Sequence, residues 1–154
     1  MDGNATARTR AVRLERGGAG DGETITLRHE ERHRRRAVLQ SDGGGEVLLD
    51  LPEAVEMRDG DVLVLEDGRR IAIRAAAEPL LEVRATSPHH LARLAWHLGN
   101  RHLPVAIEAD RIFLRPDHVI AGMLRGLGAE VSTVEAPFQP EGGAYGGGHG
   151  HGHG

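Results

Sequence analysis

The sequence predicts an α+β chain in three successive parts: a small all-β unit, a β-α-β-β-α-β unit, and a Gly/His-rich tail. Three observations lead there. Short alternating apolar runs separated by Gly-rich turns fill residues 24–77. Two helix-period stripes interleaved with short strands occupy residues 78–138. From residue 139 onward glycine dominates, and a chain of that kind cannot bury enough surface to repay its ordering.

In chain order, residues 1–23 mix Arg, Gly and small polar residues without apolar periodicity, so they are expected to form a flexible N-terminal segment. Thr24-Ile25-Thr26-Leu27 alternates as a strand does. Ala37-Val38-Leu39 and Glu46-Val47-Leu48-Leu49 flank Ser41-Asp42-Gly43-Gly44-Gly45 and read as a hairpin. Val62-Leu63-Val64-Leu65 and Arg70-Ile71-Ala72-Ile73 flank the Asp67-Gly68 turn and read as another. No helix is expected in this unit.

Pro79 marks the boundary, and Leu80–Ala85 follows as a strand. Ser87-Pro88 joins an N-cap to proline at the first helical position, a strong helix start. Leu91, Leu94, Ala95 and Leu98 then form one apolar face, ended by Gly99 and Asn100. Short strands follow at Pro104–Glu108 and Ile112–Leu114. Asp117 caps a second helix carrying Val119, Ile120, Met123, Leu124 and Leu127, with Gly128 at its end, and a last strand runs from Glu130 to Val134. That order is the ferredoxin-like arrangement, two helices on one face of an antiparallel sheet.

Composition narrows the chemistry. The 19 basic residues, all Arg, stand against 23 acidic ones, a formal charge of −4, so electrostatics alone does not drive the chain onto nucleic acid. Without lysine there is no Schiff-base chemistry and no phosphate-loop lysine. Without cysteine there are no disulfides, thiolate metal sites or thiol catalysis. No signal-like or membrane-spanning apolar run is present, and the protein is expected to be cytoplasmic, without a membrane partner. No serine-nucleophile, nucleotide or zinc-protease motif occurs. The run from Arg28 to Arg36 has acidic neighbours and no stacking aromatics, and reads as a solvated strand pair.

Ten histidines among only four aromatics are the compositional excess. In the tail, His149, His151 and His153 alternate with glycine, so imidazoles two residues apart share a side and can converge on one ion. The plainer reading is an affinity tag or a low-complexity accident. His90 and His97 lie seven apart on the first helix, about 10 Å along its axis, too far to share an ion, which favours surface or helix-packing roles; His89 has no stronger claim. His102 lies just past that helix in a loop, where one imidazole makes a weak site unless a twofold axis supplies a second. His118, beside Asp117, is either an auxiliary ligand or simply a first-turn residue.

The segments His97-Leu98-Gly99-Asn100-Arg101-His102-Leu103-Pro104, Asp117-His118-Val119, Met123-Leu124-Arg125-Gly126-Leu127-Gly128, and Ala136-Pro137-Phe138-Gln139-Pro140-Glu141-Gly142-Gly143-Ala144-Tyr145-Gly146 before a His-rich end resemble the UreE family of urease accessory proteins. The resemblance spans residues 24 to 154. It implies a Ni(II)-binding metallochaperone rather than an enzyme, a homodimer formed through the ferredoxin-like domain, and delivery to the urease apoprotein with the accessory GTPase UreG and its companions UreD and UreF. By the same resemblance the interfacial ligand falls on His102, tail ligands fall among His149, His151 and His153, and a peripheral ligand falls on His118. Pro116 stands where some members have another histidine. Zn(II) or Cu(II) suit the same imidazoles in vitro. A Ni/Zn storage or detoxification protein and a metal-dependent hydrolase are the alternative readings.

Overall fold

A computed structural model of the chain describes residues 9–142. The expectations for His149, His151 and His153 lie outside the described residues, as does the first part of the N-terminal segment. The chain divides between Ala76 and Ala77 into two compact units.

The first unit is a six-stranded sheet of β1 (Thr9–Glu15), β2 (Thr24–Leu27), β3 (His33–Gln40), β4 (Glu46–Glu56), β5 (Val62–Leu65) and β6 (Arg70–Ala75), in the order β2-β6-β5-β1-β4-β3. Both expected hairpins form, β3 with β4 and β5 with β6. Ile25, Leu39, Val47, Leu49, Leu63 and Ile73 meet in its core. A 3-10 turn at His29–Glu31 is its one helical element among the described residues.

The expected flexible segment is corrected at Thr9–Glu15. Those residues form an interior strand, parallel to β4 on one side and antiparallel to β5 on the other. Ala11 is fully buried and Leu14 packs on the same core. Ala11 and Leu14 lie three positions apart, which breaks the period-2 signal of a strand, and the register shift between Ala11 and Arg13 restores the phase. The charges of β1 find partners across the sheet: Arg10 pairs with Asp50 at 3.0 Å and Glu66 at 3.1 Å. The charged run is corrected at one residue as well. His33–Arg36 are exposed, but Arg32 is fully buried, its guanidinium donating to Met57 O and Leu27 O, both at 3.0 Å. Paired in this way, a buried guanidinium ties three chain segments together instead of facing water.

The second unit comprises β7 (Ala77–Arg84), α1 (Pro88–Gly99), β8 (Ala106–Ile107), β9 (Arg111–Leu114), α2 (His118–Gly126) and β10 (Glu130–Pro137). Its antiparallel sheet has the order β10-β7-β9-β8, so the β-α-β-β-α-β unit is ferredoxin-like as expected. Leu81 lies opposite Leu114 and Val83 opposite Ile112, and this sheet face packs with Leu94, Leu98, Ile120 and Leu124 of the helices. Pro79 lies inside β7 rather than at a boundary. There β7 pairs with β10, through Glu135, while its pairing with β9 begins at Leu81, so the missing proline N–H breaks no ladder. No helix among the described residues is long and apolar enough to cross a membrane.

Glu15 accepts from Arg70 at 2.8 Å and Arg13 at 2.7 Å, which together lower its pKa to about 2, with Arg70 the larger cause. A carboxylate lowered on folding contributes stability that is complete above its unfolded value of about 4.3 and lost as pH falls through the folded value. Thermal melts of Glu15→Gln are therefore expected to depend less steeply on pH than those of the parent between about pH 4.5 and 2.

Candidate metal centre

Alpha-helical capping places the histidines of the second unit. Ser87 opens α1 by accepting from the His90 N–H at 3.0 Å, and Asp117 opens α2 by accepting from Val119 N–H at 2.9 Å and Ile120 N–H at 3.0 Å. His90, three residues into α1, is buried. Its Nδ1 accepts the Thr86 N–H at 2.9 Å, and its Nε2 lies 2.8 Å from Leu127 O. An Nδ1 that accepts leaves the proton on Nε2, so the neutral ring donates to Leu127 and fastens the start of α1 to the end of α2. Both ring nitrogens are used, and His90 has none left for a metal. His97 is half-buried and meets the Trp96 indole edge-on, ring centroids 5.1 Å apart. His89 is exposed.

His102 is placed differently. Past the helix end Arg101 N–H donates to Leu98 O and His102 N–H to Gly99 O, both at 3.0 Å. His102 then turns into the left-handed region with φ 57°, the sole non-glycine residue with positive φ among the described residues. Leu103 turns back into the core under the helices. Glycine is the usual occupant of such a position because a Cβ there crowds the following carbonyl. Here the turn carries an exposed imidazole instead. Non-glycine residues held in this region concentrate at functional sites.

His118 is the first residue of α2 and is exposed. Among the described residues no group of three or more His, Asp or Glu side chains is close enough to hold a metal ion, so His102 and His118 are not part of a ready-made cage. Two further exposed features went unread in the sequence. Trp96 on α1 and Val119 on α2 are 64% and 66% exposed, although Val119 was assigned to the apolar stripe. The stripe of α2 runs through Ile120, Ala121 and Leu124, with Met123 and Leu127 packed beside them as expected and Ala121 in place of Val119.

Family models for the UreE urease accessory protein match the chain over residues 5–76 with the N-terminal domain and over residues 78–154 with the C-terminal domain. A urease accessory protein UreE of Chelativorans sp. strain BNC1 is 59% identical over 123 residues, covering 80% of this chain and 78% of that protein. One from Bradyrhizobium sp. strain ORS 278 is 56% identical over 137 residues, 89% of this chain and 65% of that protein. Another, from Mesorhizobium japonicum, is 54% identical over 135 residues, 88% of this chain and 69% of that protein. The chain thus spans just under two thirds of the length of the two Bradyrhizobium relatives, 65% and 66%.

Two substitutions separate a structural imidazole from an available one. His90→Ala leaves the Thr86 N–H and Leu127 carbonyl unpaired and is expected to cost about 2 kcal/mol in denaturant titration. At His102, glycine relieves the left-handed turn while alanine does not, so His102→Gly is expected to be about 1 kcal/mol more stable than His102→Ala.

Proposed function

The chain belongs to the UreE family of urease accessory proteins, and from that membership we propose that it is a nickel metallochaperone, taking up Ni(II) and passing it on during assembly of the urease active site. The observation that supports this best is His102, an exposed imidazole that the end of α1 holds in a turn where glycine would be easier. One imidazole binds an ion weakly. In a homodimer paired through the second unit, a residue near the twofold axis faces its own copy, and two His102 side chains share one ion. Trp96 and Val119, exposed on the two helices, supply apolar surface for that pairing.

The tail imidazoles His149, His151 and His153 complete or exchange ligands around that ion, and His118 is an auxiliary ligand. Ordering a glycine-rich segment costs about 1–2 kcal/mol per residue, so tail ligands are gained and lost readily, which suits a carrier more than a store. The receiving side is the urease apoprotein, reached with UreG, UreD and UreF. Neutral imidazole suits nickel, zinc and Cu(II) alike, so the choice of nickel falls to its supply and to the partner that accepts it.

Metal-binding imidazoles must be deprotonated, and histidine ordinarily protonates near pH 6.5. Equilibrium Ni(II) titration of size-calibrated protein is expected to give one tight ion per dimer at about pH 7.5 and binding weaker by about tenfold or more at about pH 5.5. His102→Ala is expected to lose the tight ion, and a chain ending at Gly148 to lose weaker binding. A monomer that keeps its ion, or a His102→Ala protein that binds as the parent does, sinks the shared site.

A further inference from the structure

His102 is held in its left-handed turn from two sides, and α1 is only one of them. On the α1 side the His102 N–H donates to Gly99 O and the Arg101 N–H to Leu98 O. On the other side Leu103 enters the core and the chain runs into β8, which is two residues long and pairs with β9 at Ala106 and Ile107. An edge strand of that length has little stability of its own. Its outer edge is nonetheless occupied. The Glu141 N–H donates to Val105 O at 2.7 Å, and the Glu141 carboxylate accepts the Ile107 N–H at 3.1 Å. One residue therefore supplies both the donor and the acceptor that a neighbouring strand would bring, the carboxylate standing in for a backbone carbonyl. Glu141 is itself anchored. Phe138, three residues before it, is fully buried with the Arg115 guanidinium 5.5 Å from its ring centroid, and Pro140 is buried too. Arg115 directly follows β9, so this brace starts from the strand that β8 pairs with on its inner side.

We propose that Glu141 is a positioning residue for His102, fixing the far side of the turn that presents the imidazole. That role deepens the proposed function and rests on its reading that His102 ligates the ion. A non-glycine residue stays in the left-handed region only while its surroundings over-determine it. The end of α1 fixes the approach to His102, and Leu103 with the two bonds at Val105 and Ile107 fixes the departure. Val105 is three residues from His102, at most about 11 Å of chain, so little slack lies between the brace and the turn. With Glu141 removed, β8 keeps only its pairing to β9, the departure loosens, and the His102 backbone spreads over conformations that aim its ring elsewhere. A ligand that is competent for a fraction of the time binds more weakly by that fraction, and an ion shared by two copies of His102 registers the fraction twice. If the unbraced turn holds its binding conformation for about a third of the time, affinity falls by about tenfold.

Equilibrium Ni(II) titration of the full chain tests this. Glu141→Pro, which removes the carboxylate and the N–H together, is expected to bind about tenfold more weakly than the parent. Glu141→Gln, whose amide oxygen still accepts from Ile107, is expected to bind as the parent does, with Glu141→Ala between the two. On a His102→Ala background, Glu141→Pro is expected to change nothing further. A metal-free readout runs beside the titration. The left-handed backbone brings the amide and Hα protons of His102 close together, and the strong nuclear Overhauser effect between them is expected to persist in Glu141→Gln and to weaken in Glu141→Pro. Equal weakening of binding with and without His102 would mean that Glu141 acts elsewhere and would overturn the proposal. Two other results overturn it as well: Glu141→Gln binding as weakly as Glu141→Pro, since the carboxylate then acts by its charge, and an unchanged Overhauser effect in Glu141→Pro, which leaves Glu141 merely structural. If His102→Ala itself binds as the parent does, the ligand reading fails by itself, and the Overhauser effect still decides whether Glu141 positions the turn.

Discussion

The second unit depends on the ladder between β7 and β10, antiparallel and continuous from Ala77 opposite Pro137 to Arg84 opposite Glu130. The segments that lead to His102 and to Glu141 depart from its two ends. From the Arg84 end the chain enters α1 and turns out at His102. From the Pro137 end it runs through the buried Phe138 and Pro140 to Glu141, which is bonded to Val105 and Ile107 at β8. Because the ladder is fixed along its whole length, both departures are fixed in register, and a one-residue slip would carry Leu81 and Val83 off the helix-covered face.

Two imidazoles twelve residues apart show how surroundings decide what a histidine does. His90 and His102 differ little as residues in a sequence. His90 is enclosed by Thr86 and Leu127, which use both nitrogens and make it a clamp between helices. His102 is turned outward by a backbone that glycine would adopt more easily, with its ring left in solvent. The first holds the scaffold on which the second is presented.

The second unit was readable because its signals are local: Ser87-Pro88 and Asp117 open helices in any context, and the alternation of Leu81 and Val83 needs no distant partner to be recognised. Where reading failed, the deciding partner lay far along the chain. β1 looks featureless until β4 and β5 flank it, and Arg32 looks solvated until Met57 and Leu27 offer carbonyls. His102 was legible as a loop residue but not as a left-handed one, since the turn is set by Leu103 finding the core. Glu141 gave no signal, because its meaning depends on a crossing from one sheet edge to the other.

Glu141 also has a bearing on self-association. β8 is two residues long and forms the outer edge of its sheet, and Glu141 occupies the outward Val105 carbonyl and Ile107 amide that an incoming strand would seek. A chain cut upstream of Glu141 bares that edge beside the 40%-exposed Ile107 side chain, a ready template for edge-to-edge stacking of copies. Glu141 thus keeps the sheet from growing, and any shortened version meant to stay dispersed has to retain it.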